Sequence, residues 1–75
     1  MRKATRFSRA TFGRAVRRER QKLGLSQEDF AEKANVHRTY VSSIELGKVS
    51  VGIEVAHEIA VALGMRLSDL IGLAE

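Results

Sequence analysis

Seventy-five residues suit one small domain and leave no room for a second. Cysteine is absent, which excludes disulfides and thiolate–metal sites, so stability has to come from packing, helped by association with further copies. The net charge of +4 is unevenly spread: residues 1–22 hold nine Lys and Arg against Glu19 alone, whereas residues 23–75 hold four against eight acids. A basic end and a mildly acidic remainder point to a polyanionic partner, nucleic acid first, or else to a merely solvated charged helix. The opening residues lack the apolar stretch of a signal peptide, and no run approaches the ~20 apolar residues of a membrane span. The expected location is therefore cytoplasmic, with no membrane partner.

There is no proline, no internal repeat and no strand-like alternation of useful length, so the chain reads as all-α. Residues 1–9 form a polar basic arm, expected to be flexible, ahead of a domain over residues 10–75. The first helix is predicted from Ala10 to Leu23, with Phe12, Ala15, Val16 and Leu23 on its apolar stripe and Gly24 at its end. Gly13 weakens it mildly. Ser26 is placed to cap a second helix, Gln27 to Ala34, whose Glu28 and Asp29 suit the positive end of the dipole. That helix buries Phe30, Ala31 and Ala34, and at two turns it depends on packing.

Asn35 accepts the left-handed conformation of a sharp turn, and Val36 plugs it. A third helix, His37 to Leu46, turns Val41 and Ile44 inward with Tyr40 flanking, and stops at Gly47. Gly52 opens a fourth helix, to about Leu63, with Ile53, Ala56, Ile59, Ala60 and Leu63 inward. Gly64 closes it, and Leu67, Leu70 and Ile71 belong to a short fifth helix.

Two short helices joined by a tight turn, with the small Ala31 where they cross, make a helix-turn-helix unit. The second of the pair is the one that fits a major groove ~12 Å wide. Counting from Val41 and Ile44, its outward side chains are Arg38, Thr39, Ser42 and Ser43. Short hydroxyls and one guanidinium suit base edges better than a protein partner, whose hot spots favour aromatics.

The stretch LGLSQEDFAEKANVHRTYVSSIELGK, Leu23 to Lys48, resembles the core of the Cro/C1-type (XRE-like) helix-turn-helix family. Within that family HRTYVSSIE is most similar to the controller proteins of restriction–modification systems. The resemblance spans roughly residues 12–71 and implies a five-helix, lambda-repressor-like domain that binds double-stranded DNA as a transcriptional regulator. It implies that Arg38 and Thr39 read bases or adjacent phosphates, that Ser43 reads a base, that Ser42 and Tyr40 lie within reach of the backbone, and that Gln27 and Lys48 contact phosphates. Ser42, by its outward position, is also a candidate base reader, and Ser26 a candidate phosphate contact. Gln27 would also brace the recognition helix, and Tyr40 is open between a backbone contact and partly buried packing.

A carboxylate in the groove would meet phosphate repulsion, so Glu45 is no reader. The family pattern pairs it with an arginine of the first helix, here Arg20, as a partly buried structural ion pair. His37 stands where Ser, Thr or Asp usually caps the recognition helix; a neutral imidazole can cap, a protonated one would face phosphate, and an ordinary exposed residue is the plainer reading. His57 reads as packing rather than a ligand, with no metal site and no cofactor implied.

Few base contacts per helix call for a homodimer on a two-fold operator, its interface formed by apolar residues left over from the core. Candidates are Leu46, Val49, Val51, Leu67 and Ile71, with Ile53 and Val55 beside them. The alternative is an antitoxin: the same fold, autoregulating and binding a toxin as its protein partner. Two isolated histidines without a convergent acid–base set argue against an enzyme.

Overall fold

The computed structural model describes residues 7–75; residues 1–6 of the expected basic arm lie outside them. Five helices follow one another: α1 (Arg9–Lys22), α2 (Gln27–Ala34), α3 (Arg38–Glu45), α4 (Ile53–Ala62) and α5 (Leu67–Leu73), with no strand among the described residues. Helix α1 starts one residue earlier than its apolar stripe suggests, because Ser8 and Thr11 form a capping box. The Ser8 hydroxyl oxygen accepts the Thr11 amide at 3.2 Å, and the Thr11 hydroxyl oxygen accepts the Ser8 amide at 2.8 Å.

Helix α2 is capped as its sequence predicts, the Ser26 hydroxyl oxygen accepting the Asp29 amide at 3.0 Å. It ends at Asn35, whose φ of 59° sends the chain sharply into α3. At the start of α3 the His37 Nδ1 accepts the Thr39 amide at 3.4 Å, a long and weak cap. The helix stops at Gly47, where a φ of 73° lets the Lys48 amide reach back to the Ser43 carbonyl at 2.9 Å.

The inner faces converge on a core whose largest fully buried members are Val16, Phe30, Val41, Ile44, Ile59 and Leu70. Helices α1 and α2 both pack on α3, while α4 and α5 close the far side against α2 and α1. Two apolar side chains assigned inward by periodicity are not inside, and His57, read as packing, is exposed. Leu23 is 49% exposed because it caps α1, and Leu25, beyond the turn, packs on the core in its place. Ile53, at the first position of α4, is 75% exposed beside an open apolar groove.

What seats α3 is its crossing with α1. Gly13 lies where the C-terminal end of α3 comes down: a Cβ there would run into the Ile44 carbonyl oxygen and come within 2.9 Å of that of Glu45. At Gly47 an added Cβ would come within 3.0 Å of the Ala10 Cα. Two helices can approach this closely only where side chains are missing.

One turn beyond Val16, the Arg20 guanidinium grips Glu45 with two bonds, Nε to Oε2 at 2.6 Å and Nη2 to Oε1 at 3.0 Å. Its Nη1 donates to the Leu25 carbonyl at 2.8 Å, which ties the α1–α2 loop into the same knot. Gln27 Nε2 completes it, donating to Glu45 Oε1 at 3.0 Å. Both charged residues are buried, and the hydrogen bond to Glu45 holds the Arg20 guanidinium above its ordinary pKa against the opposing effect of burial.

Gly13→Ala should therefore destabilise the chain by about 1–3 kcal/mol, although alanine is the better helix former. Gly72→Ala, whose Cβ would meet nothing within 4 Å, should stabilise it by up to about 1 kcal/mol. Urea unfolding of the two variants tests the crossing, and equal shifts would refute it. Glu45→Ala leaves a buried guanidinium unpaired and should cost about 3–5 kcal/mol, whereas Arg20→Met with Glu45→Leu should recover most of that loss. Recovery by the double variant, read from the same unfolding curves, separates the cost of an orphaned charge from loss of packing.

Candidate nucleic-acid interface

With Val41, Ile44 and Glu45 turned inward, the opposite side of α3 presents Arg38 and Thr39, both exposed, and Ser42 and Ser43, half-buried along its flank. Leu46 completes this face. It follows Thr39 by seven residues, Ser42 by four and Ser43 by three, which puts all four side chains on one stripe. At 63% exposure it is among the most exposed large apolar residues described.

The flanks of α3 hold the other expected contacts. Gln27, half-buried at the first turn of α2, gives one amide donor to Glu45 and keeps the second free. Ser26 is exposed, and its hydroxyl oxygen already accepts from the helix while its proton remains available as a donor. Lys48 is exposed immediately past Gly47. Tyr40 is half-buried and packs against the core, so its ring serves the scaffold whatever its hydroxyl meets.

Charge is distributed to match. Arg20 is consumed by Glu45, and Arg18 and Lys22 lean on Glu19 at 4.0 and 3.1 Å. Arg9, Arg14 and Arg17 are exposed and have no acidic partner among the described residues. Arg17 borders a polar notch with Gln27, Ser42 and Leu46, so the basic surface of α1 runs up to the outward face of α3. Periodicity missed Arg17 as a neighbour of this face because it depends on how α1 and α3 cross.

The five expected dimer residues are divided. Val49, Val51, Leu67 and Ile71 are half-buried and line one apolar groove of about 310 Å³ together with Phe12 and Ile53. Phe7 stands at its rim, its ring edge-on to Phe12 with centroids 6.3 Å apart. Val55 is half-buried against the core. Leu46 does not join them: it lines the notch with Arg17 and Ser42 instead, because the α3 stripe carries it away from α4 and α5. Among the described residues no three His, Asp or Glu side chains gather as metal ligands, and no helix is long and apolar enough to cross a membrane.

Residues 16–70 match the helix-turn-helix family HTH_3. The chain is 41% identical over 64 residues to the control protein C.BamHI of Bacillus amyloliquefaciens, covering 84% of this chain and 79% of that one. Among solved structures it is similar to the clp gene regulator ClgR of C. glutamicum, with a TM-score of 0.86, 30% identity and coverage of 96% of this chain and 94% of the other. It is likewise similar to the restriction–modification controller protein C.AhdI of Aeromonas hydrophila, with a TM-score of 0.80, 32% identity and coverage of 83% and 94%. The arrangement of α2 and α3, the lambda-repressor-like order of five helices and these likenesses agree: the chain belongs to the HTH_3 (XRE-like) helix-turn-helix family of DNA-binding transcription regulators.

Proposed function

We propose that the chain binds a two-fold DNA operator as a homodimer, with α3 of each copy in the major groove of one half-site. The observation that carries this reading is the outward face of α3: Arg38, Thr39, Ser42 and Ser43 stand free of acidic neighbours while Glu45 is locked away beneath them. Arg38 has the reach and the paired donors for a guanine edge, and the three hydroxyls suit close approach to neighbouring bases or phosphates. Ser26, the free donor of Gln27, Tyr40 and Lys48 contact phosphates on either side of the groove.

One short helix reads too few bases to single out a site, and two copies double the contacts. The apolar groove between the α1 start, the α3–α4 loop and α5 is the surface for the second copy. Its support is Ile53, three-quarters exposed at the edge of a groove whose Val49, Val51, Leu67 and Ile71 are only half-buried. The likeness to C.BamHI and C.AhdI, a control protein and a restriction–modification controller protein by their names, favours a regulator over an antitoxin. The expectation that the chain is not an enzyme rests on the same likeness and on the lack of a convergent acid–base set.

Arg38→Ala should leave folding intact and reduce discrimination against the wrong base by about 1–3 kcal/mol per half-site. The comparison is between a site selected from random duplex DNA and its point variants; unchanged preferences would remove Arg38 from the readers. With about six phosphates neutralised per dimer, affinity plotted against salt on logarithmic axes should have a slope near −5. Ile53→Glu, at an exposed position, should keep the helices while weakening self-association at least about tenfold. Sedimentation of that variant as an unchanged dimer would show that the groove is not the interface.

A further inference from the structure

We propose that Leu46 reads the 5-methyl group of a pyrimidine at the end of each half-site, as an apolar counterpart to the hydroxyl readers. The inference rests on the assignment of α3 to the major groove made above. Single exposed leucines on a protein surface ordinarily need no explanation. This one stands on the stripe of Thr39, Ser42 and Ser43, one turn past Ser42, at the end of the only helix face assigned to base edges.

Its surroundings decide what it can meet. Ser42 and the Arg17 side chain line the notch with it, above the Gln27–Glu45–Arg20 knot, and among the described residues it is the one apolar side chain lining that notch. Its backbone is fixed, because its own amide donates to the Ser42 carbonyl at 3.0 Å and Gly47 is docked on Ala10 just beyond. In the major groove the one apolar feature of a base edge is the 5-methyl group, carried by thymine and by 5-methylcytosine and lacking from uracil and cytosine. An exposed leucine on a fixed backbone matches that feature in chemistry.

The test uses the full chain and a site selected from random duplex DNA. Each thymine of the site is replaced in turn by deoxyuridine, which removes only the methyl group. At one position in each half-site the wild-type chain should lose about fourfold in affinity, the equivalent of one buried methyl. Leu46→Ala should bind the thymine and uracil duplexes equally well, and Leu46→Met should keep the discrimination. Circular dichroism should show both variants as helical as the wild type, since the side chain contributes nothing to the core. Cytosine and 5-methylcytosine at the same position distinguish the two sources of the methyl: tighter binding to the methylated base alone assigns the contact to modified DNA. A methyl effect that survives in Leu46→Ala, or the lack of any methyl-sensitive position in an enriched site, would overturn the role of Leu46 and leave α3 as the reader. Selection that enriches no sequence would overturn the DNA-reading function itself.

Discussion

Helix α3 has eight residues, far below the ~12–15 that an isolated helix needs to persist in water, so everything asked of it depends on how it is held. It is held at the crossing with α1. Two missing side chains, at Gly13 and Gly47, let the end of α3 sit directly on the α1 backbone. The buried Arg20–Glu45 pair then fixes its rotation. A buried ion pair contributes little net stability compared with apolar side chains of the same size, because desolvation opposes the attraction. Its geometry is the gain: planar guanidinium and carboxylate groups joined by two bonds define an angle that interdigitated leucines would not. The same pair removes the one carboxylate of α3 from the outward face proposed to meet DNA.

Gln27 links this scaffold to the interface. One of its amide hydrogens is committed to Glu45, which orients the side chain before any partner arrives. A donor held in place loses less freedom on binding than one recruited from solvent. The start of α2, the rotation of α3 and the free donor at their junction are therefore one mechanical unit, and Arg20 extends it to the carbonyl of Leu25.

The helices themselves were legible because apolar spacing, Ser26, Asn35 and the glycines at helix ends act locally. The outward face of α3 was legible for the same reason: once Val41 and Ile44 are inward, Arg38, Thr39, Ser42 and Ser43 have nowhere else to point. The failures share a different cause. Periodicity assigns a face but does not know where the core stops, so Leu23 and Ile53, at the two ends of their helices, were placed inside it. Gly13 looked like a weak helix position because what it admits, the backbone of Ile44 and Glu45, is distant in sequence. Ser8 and Thr11 did carry a local signal, a capping-box spacing with Thr at its third position instead of Glu or Gln, hidden by the basic residues around them.

Ile53 and Leu46, the two most exposed of the large apolar side chains described, are distinguished by company rather than by exposure. Ile53 adjoins Val49, Val51, Leu67 and Ile71, all half-buried, so a partner covering it also completes the burial of four neighbours. Several such side chains covered together contribute roughly 25 cal/mol per Å² of apolar surface, which opposes the freedom lost when two chains associate. Leu46 is the one apolar side chain lining its notch among the described residues, and the area it can bury alone is too small to hold a second protein. The role proposed for it asks less, because discrimination between bases needs only a difference of about 1 kcal/mol where affinity is supplied by phosphate contacts. The grouping of apolar residues by composition put both in one interface. The rotation of α3, set by Arg20 and Glu45, is what parts them.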